Sequence, residues 1–461
     1  MTQAKLTYLI EKYNQPIPRY TSYPPANHFV SEFDHKQVEA LIEESNHATE
    51  NHIAFYVHIP FCKKICYYCG CNAHKLPKKD NTQEYLEALR TEIQEVKKRL
   101  NPSRKISQIH FGGGTPNSLP AQELTQLVQL MLTGFETIEN PEIAVECNPA
   151  DLDLAYLDEL AQGGFNRISM GIQDFDPEIL RNVNRLPSKL PVVELVAYLR
   201  NHHPHISVNL DFIYGLPGQT TESFLNSIQQ AIAIKPDRLV TFSYAHVPWL
   251  KKHQQILEKK GLPSPQEKMD IFLSSRDALL EAGYRAIGLD HYVLPHDELA
   301  LALENHQLHR NFQGYCTRRT TGQVYAVGVS SISQFENAYI QNKKTIPAYI
   351  QSIQKGEWPG EGGLILNQHE IIVREAITEI MCNLYLDLNA LASRFNCTPN
   401  ELKTILNYNE QHLTQLADDG LMEWHENILR VTETGSHFVR NIASQFDPAF
   451  DAGSKRYSQS V

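Results

Sequence analysis

The sequence predicts an α/β protein: an open, incomplete (β/α)6 barrel with an extended N-terminal arm and a mostly helical, winged-helix-like C-terminal domain. Three observations carry this. Short β-branched runs alternate with longer amphipathic stretches through the middle of the chain, and strand-then-helix repetition means a parallel sheet. Four prolines fall within Pro16–Pro25, which excludes a helix there and favours an extended segment. Pro359–Gly363 is rich in Gly and Pro and reads as a linker, beyond which the pattern turns helical. The expected units are therefore an arm over 1–50, a barrel over 51–358 and a helical domain over 359–461.

In chain order, the expected strands are Ile53–His58, Ile106–Phe111, Glu142–Glu146, Arg167–Gly171, Ser207–Phe212 and Arg238–Ser243, with Arg285–Leu289 as a seventh. Between them lie the expected helices Gln83–Arg99, Ala121–Leu132, Leu154–Gly163, Pro191–Asn201, Thr221–Ile234 and Pro265–Ala282. Six or seven such units suit an open barrel better than a closed eight-unit one. After the linker, Asn367–Leu384, Leu388–Ser393, Asn400–Ile405 and Gln411–Asp418 read as helices. A strand pair follows at Leu421–His425 and Asn427–Val431, then a helix from Thr434. In a sheet of this kind the ligand site lies at the carboxyl ends of the strands.

The chemistry starts from Cys62, Cys66, Cys69 and Cys71, half of the eight cysteines packed into one short run just after the first strand. The N-terminus has no apolar leader, so export and disulfides are not expected. A structural zinc usually draws on two separated ligand pairs, whereas here the thiols share one loop. An iron–sulfur cluster suits that loop better, because nearby cysteines can reach different irons. With Cys62, Cys66 and Cys69 as ligands, one iron stays open, and an open position separates a catalytic metal site from a closed one. Cys71 could close the site as a fourth ligand. Against that, an extended chain would point Cys69 and Cys71 to opposite faces.

Composition bounds the partners. The formal net charge is −11 and hydrophobic residues make up 42% of 461. An acidic chain argues against nucleic acid, and no apolar run reaches the length that spans a bilayer. The default is a cytoplasmic enzyme acting as a monomer. A winged-helix module could suggest DNA, but the expected recognition helix around Glu410–Asp419 carries no Lys or Arg. A structural lid is the favoured reading.

Polar residues fall at the expected strand ends. Gly112-Gly113-Gly114-Thr115-Pro116 follows the second strand, where glycines let a ligand approach the backbone. Glu146 ends the third strand and Gln173 follows the fourth. Asp211 sits in an otherwise apolar strand, which calls for a partner: an arginine such as Arg167 or Arg185, or a ligand.

Cys-x-x-x-Cys-x-x-Cys after Phe55-Tyr56-Val57-His58-Ile59-Pro60 resembles the radical S-adenosylmethionine (SAM) superfamily. Further motifs narrow the resemblance: Pro18-Arg19-Tyr20-Thr21-Ser22-Tyr23-Pro24, Phe111-Gly112-Gly113-Gly114-Thr115-Pro116, Glu146-Cys147-Asn148-Pro149, Ile213-Tyr214-Gly215-Leu216-Pro217 and His309-Arg310-Asn311-Phe312-Gln313-Gly314-Tyr315. Together, across nearly the whole chain, they resemble the oxygen-independent coproporphyrinogen III oxidases, also called coproporphyrinogen dehydrogenases.

That resemblance implies a [4Fe-4S] cluster and two molecules of SAM. It implies a 5′-deoxyadenosyl radical that takes a β-hydrogen from each of two propionates of coproporphyrinogen III. Loss of CO2 and an electron then gives the vinyls of protoporphyrinogen IX in haem biosynthesis. It further implies an electron donor protein, not identified by the sequence. By position, Tyr56, Gly113, Glu146 and Ile332 resemble contacts to the cluster-bound SAM. Gly114, Thr115, Gln173, Arg185, Asp211 and Ala245 resemble contacts to the second, with Tyr68 beside it. The substrate's four carboxylates need local cations in an acidic protein, and Arg19 and Arg310 are the candidates. One departure is Tyr315-Cys316-Thr317-Arg318-Arg319, more basic than the family pattern and carrying an extra thiol.

Two rivals remain. Haem-binding chaperones resemble this family but lack the Pro-Arg-Tyr-Thr-Ser-Tyr arm and carry Phe where Cys71 stands, so the arm and Cys71 favour the oxidase. A DNA-binding redox regulator is opposed by the acidic balance.

Overall fold

The computed structural model describes residues 3–20, 22–30, 33–317 and 322–450. Thr21 of the arm motif and Arg318 and Arg319 of the basic stretch lie outside the described residues.

One twelve-stranded mixed sheet organises the chain. Its strands are β1 (His52–Ile59), β2 (Lys105–Gly113), β3 (Glu136–Cys147), β4 (Arg167–Gln173), β5 (Ser207–Tyr214), β6 (Arg238–Ser243), β7 (Arg285–Ile287), β8 (His291–Val293), β9 (Gln323–Val327), β10 (Ile332–Gln334), β11 (Ala338–Asn342) and β12 (Gly360–Ile365). The sheet order is β12-β11-β10-β9-β1-β2-β3-β4-β5-β6-β8-β7. From β9 through β1 to β6 every neighbour is parallel. Both flanks are antiparallel.

All six expected parallel strands form, most of them longer than expected. The helices between them run Lys79–Arg99, Ala121–Leu132, Leu154–Gln162, Val192–His202, Thr221–Ile234 and Pro265–Glu281. Their apolar stripes lie on the sheet: Leu89, Ile93, Leu124, Val128, Leu160, Leu199 and Ile228 are fully buried in one cluster with Phe55, Ile109, Phe111 and Leu210. A buried carboxylate locks the first helix in place. Glu92 accepts from Gly328 N (2.7 Å), Asn342 Nδ2 (2.6 Å) and the Tyr349 hydroxyl (2.6 Å).

Three expectations change. The seventh strand is shorter, Arg285–Ile287, and reaches the sheet through antiparallel β8. The arm region also contains helices, Gln3–Tyr13 and His35–Glu44. The second starts at a capping box, with Asp34 and Gln37 each bonding the other's backbone N–H. Pro359–Gly363 is not a linker, because Gly360–Ile365 pairs with Ala338–Asn342 as the edge strand β12. A Cβ on Gly363 would stand 2.1 Å from the Tyr339 carbonyl oxygen. This glycine answers a close backbone approach rather than a need for flexibility.

Beyond β12 come Gln368–Thr378, a π-helical turn Glu379–Asn383, and helices Leu388–Arg394, Pro399–Leu406 and Glu410–Asp418. Three short antiparallel strands (Tyr385–Asp387, Met422–His425, Ile428–Val431) pack with them. Two short helices, Glu433–Ser436 and Val439–Ser444, follow. The proline-rich segment shares this second core: Ile17, Tyr20 and Tyr23 are buried with Phe438, Ile442 and Phe446. The Tyr20 and Tyr23 hydroxyls both donate to Asp447, each at 2.8 Å. Arg440 donates to the Ile17 and Pro18 carbonyls.

Candidate active site

The carboxyl ends of the parallel strands open into a cavity of about 540 Å³. Its wall residues step along the strands two at a time: Gln108 and His110 on β2, Glu142 and Glu146 on β3, Arg167, Ser169, Gly171 and Gln173 on β4, Asn209 and Asp211 on β5. Alternate side chains of a strand share one face, so one face of this sheet is polar while the other meets the helices.

The cysteine run leaves β1 and returns across it. Phe61–Cys62 pairs with His74–Lys75 and closes the loop. Gly114 N donates to Ile59 O (2.8 Å) and Thr115 N to Phe61 O (2.9 Å), which seats the glycine run against the loop's start. Gly113 has φ +112°, and a Cβ there would stand 2.6 Å from the His58 ring. Only glycine fits this turn.

Cys62, Cys66, Cys69 and Cys71 all line the cavity. Cys62 Sγ lies 3.2 Å from Thr115 Oγ1, and burial pushes its thiol up to about 11. Arg185 Nη1 donates to Cys66 Sγ (3.7 Å) and to the Tyr68 hydroxyl (3.1 Å), while its Nη2 donates to Gly171 O. A hydrogen bond from Cys71 pulls the Cys69 thiol down to about 6. Cys69 and Cys71 therefore do not point to opposite faces. The loop turns here instead of extending, and both residues line the cavity.

Among the described residues, no three thiol, imidazole or carboxylate groups converge as they would on a single ion. A cubane does not ask for that, since each cysteine reaches its own iron. Three thiols on one wall, with the Arg185 cation beside them, form a donor set that suits such a cluster.

Glu146 accepts from Gly113 N at 3.3 Å, and its other oxygen lies 3.1 Å from His110 Nε2. Gln173 adopts φ +72° and its Oε1 is buried with no hydrogen-bond partner. Asp211 accepts from Ser169 Oγ and Asn209 Nδ2, each at 2.7 Å, and burial lifts its carboxyl to about 6. Neither Arg167 nor Arg185 is its partner. Ala245 lines the cavity, and its carbonyl accepts from Gln254 Nε2 at 3.3 Å.

Tyr56 and Ile332 stand outside the lining. The Tyr56 ring stacks on lining residue His110 with centroids 5.9 Å apart. Ile332 opens β10, paired with Gln341.

Both expected cations reach the cavity. Arg310 lies over the Tyr315 ring at 4.4 Å and 3.8 Å from Asp290, yet its Nε and Nη1 are buried without a hydrogen-bond partner. Asn311, 2% exposed, has an equally unpartnered Nδ2. Arg19 arrives from the proline-rich segment.

A radical SAM superfamily model matches residues 56–231. An oxygen-independent coproporphyrinogen III oxidase of Synechocystis is 37% identical over 454 residues, covering 97% of this chain and 96% of its own. This chain belongs to that oxidase family. Its Escherichia coli member is 38% identical over 442 residues, covering 95% of this chain and 94% of its own. The solved structure of coproporphyrinogen III oxidase from Escherichia coli, described as a radical SAM enzyme, superposes with TM-score 0.87. It shares 36% identity, over 94% of this chain and 98% of that one. A radical SAM enzyme, with its iron–sulfur cluster and SAM, is thereby the class of this oxidase-family member. No helix among its described residues is long and apolar enough to cross a membrane.

Sequence reasoning missed the ion network below these groups. Glu142 accepts from Gln108 Nε2 (2.7 Å) and Arg167 Nε (2.6 Å). Arg167 and Arg238 both reach Glu298, at 3.3 and 3.2 Å, and Arg238 Nε donates to Asp297 at 2.7 Å. It also missed His110, Ser169, Asn209 and Asn311. The signal was present as a polar residue at every second position of otherwise apolar strands.

Proposed function

We propose that this chain catalyses the oxygen-independent oxidative decarboxylation of two propionate side chains of coproporphyrinogen III, giving the two vinyls of protoporphyrinogen IX. Each propionate loses CO2, one β-hydrogen and one electron. The carrying observation is that one cavity gathers three cluster-type thiols, the polar strand ends and two arginines. The names of the full-length relatives agree with this reading, and they do not favour the haem chaperone.

Cys62, Cys66 and Cys69 would hold a [4Fe-4S] cluster, which supplies the electron for reductive cleavage of SAM when both are bound. Thr115 and Arg185 fix two of the thiols. The Gly113 turn and Glu146 offer backbone and carboxylate groups to the SAM at that cluster, with Tyr56 and Ile332 behind them. Gly114, Thr115, Gln173, Arg185, Asp211 and Ala245, with Tyr68 beside them, would seat a second SAM. Gln173 Oε1 brings an unspent acceptor. Asp211, held by neutral donors alone, can take a cationic or hydroxylic group without breaking an ion pair. Arg19, Arg310 and Asn311 would hold substrate carboxylates through charge-assisted bonds.

In this reading the parallel strands form an incomplete six-unit barrel, with the C-terminal helices and their three-stranded wing as a lid. The arm, barrel and C-terminal units keep their order, but the last boundary moves past β12. The chain acts as a cytoplasmic monomer with coproporphyrinogen III and an electron donor protein as its partners.

The test is anaerobic incubation of the reconstituted protein with SAM, a strong reductant and coproporphyrinogen III, counting 5′-deoxyadenosine and vinyl product. Cys66→Ser is expected to lose both, by more than about a thousandfold in rate. Asp211→Ala is expected to keep cluster absorbance and lose product. If Cys66→Ser still yields 5′-deoxyadenosine, the ligand set is wrong.

A further inference from the structure

We propose that the segment from Trp249 to Lys260 is the docking surface for an acidic protein that delivers single electrons. The proposal rests on the functional reading above, which requires an electron from outside the chain, and it assigns where that electron arrives.

Three observations support it. The segment grips the cysteine loop directly. Lys251 Nζ donates to Cys71 O at 2.7 Å, His253 Nε2 lies 2.9 Å from Cys69 O, and Gln254 Nε2 donates to Tyr68 O at 2.9 Å. A partner seated on this segment would contact residues that themselves bond the thiol loop.

The outer face of the segment is both basic and apolar. Trp249 is 51% exposed, Leu250 72% and Ile256 39%. These are three of the ten large apolar residues exposed among the described residues, and they fall within eight positions. Exposed apolar groups collected in this way mark an interaction site. Lys252, Lys259 and Lys260 are exposed around them.

The charge runs against the rest of the molecule. Residues 249–260 carry four lysines and one acid, Glu258, in a chain of formal net charge −11. Glu258 is itself engaged by His246 at 2.8 Å. A local positive field on an acidic body steers an acidic partner to this face and repels it elsewhere. Electron-transfer encounters are small and brief, so a short stretch with an aromatic anchor and a lysine rim is sufficient. On docking, the carrier gives up one electron and the centre held by the loop takes up one; no bond forms or breaks and no proton moves.

The test uses the full-length protein with its iron–sulfur centre reconstituted, and a purified acidic flavodoxin as the probe. Calorimetric titration should show binding that weakens as salt rises. Combined Lys252→Glu, Lys259→Glu and Lys260→Glu should weaken it at least about tenfold and flatten the salt dependence, and Trp249→Ala should weaken it by about tenfold. Reduction of the centre by reduced flavodoxin, followed by absorbance, should slow in parallel. Reduction by titanium(III) citrate, and product formation driven by it, should not change. Unaltered flavodoxin affinity in the triple-lysine variant overturns the proposal. So does binding to anionic lipid vesicles in place of flavodoxin. Titanium(III)-driven product failing in the unaltered protein would instead sink the functional reading, and the affinity measurement would still stand alone.

Discussion

Glu142 and Asp211 face the same cavity from strands only two places apart in the sheet, and burial treats them oppositely. At Glu142, burial alone would raise the carboxyl, but Arg167 and Arg238 outweigh it and hold it near 2. At Asp211 burial wins, helped by the nearby Glu146 charge, because Ser169, Asn209 and His291 answer it only in part, and the carboxyl rises to about 6. The floor of the cavity is built as a network of ion pairs, although Arg167 Nη1 is buried without a hydrogen-bond partner. The wall above it keeps Gln173 Oε1, Asn209 Oδ1 and two Arg310 nitrogens unspent. Buried polar groups without partners are rare in folded proteins, and several of those among the described residues face this cavity. The difference separates residues that hold the sheet together from residues left open to a ligand.

The largest effect should come from the floor. Glu142→Ala leaves Arg167 and Arg238 short of a counter-charge, and breaking such a buried set costs about 3–5 kcal/mol. Denaturant unfolding should show it. A loss below about 1 kcal/mol would put the floor and the wall in the same category.

pH separates the two acids next. Asp211 has a raised folded pKa, so its ionisation works against the folded state. Its stability is intact below about 4 and declines as pH rises through about 6. Glu142 has a depressed folded pKa, so its contribution is present above about 4.5 and declines as pH falls towards about 2. Asp211→Asn should therefore gain on the unaltered protein between pH 4 and 6, by on the order of 1–3 kcal/mol. Glu142→Gln should instead lose its deficit only as pH drops below that range. Parallel pH profiles for the two variants would erase the contrast.

Arg310→Gln sharpens the wall's side of the comparison. KM for the tetracarboxylate substrate should rise about tenfold, or ~1.4 kcal/mol, with cluster absorbance unchanged and little loss of stability. The smallest effect is Tyr20→Phe. Removing one of the two hydroxyls on Asp447 should cost about 1 kcal/mol, read as faster hydrogen exchange across residues 17–23.

The strands were legible because β-branched runs between turn signals have few other solutions. Ile106–Phe111 and Arg238–Ser243 show it. The gathering of Cys62, Cys66, Cys69 and Cys71 at one place was legible from spacing alone. The floor was not, since Arg238, Asp297 and Glu298 are distant in sequence from Glu142 and meet only after β6 and the short helix Glu298–Glu304 beyond β8 are placed. That Cys69 and Cys71 both reach the cavity was hidden by assuming an extended loop. The edge strand β12 was hidden because Gly and Pro signal a turn locally, while Tyr339 opposite demands a residue without a Cβ. The helix His35–Glu44 had its signal in view: Asp34 and Gln37 at capping-box spacing, followed by Val38, Leu41 and Ile42. Arg19 and Arg310 were nominated by motif, but only the fold could show both at one cavity.

Tyr20 and its acceptor Asp447 are separated by 427 positions. The segment that carries Arg19 into the cavity is thus clamped by residues that leave the ribosome among the last. A nascent chain halted before Arg440 can already pair its parallel strands, yet it lacks the Arg440 and Asp447 contacts that help hold the segment bearing Arg19. The segment bearing Arg19 is therefore fully fastened only once the last helix and Asp447 are in place.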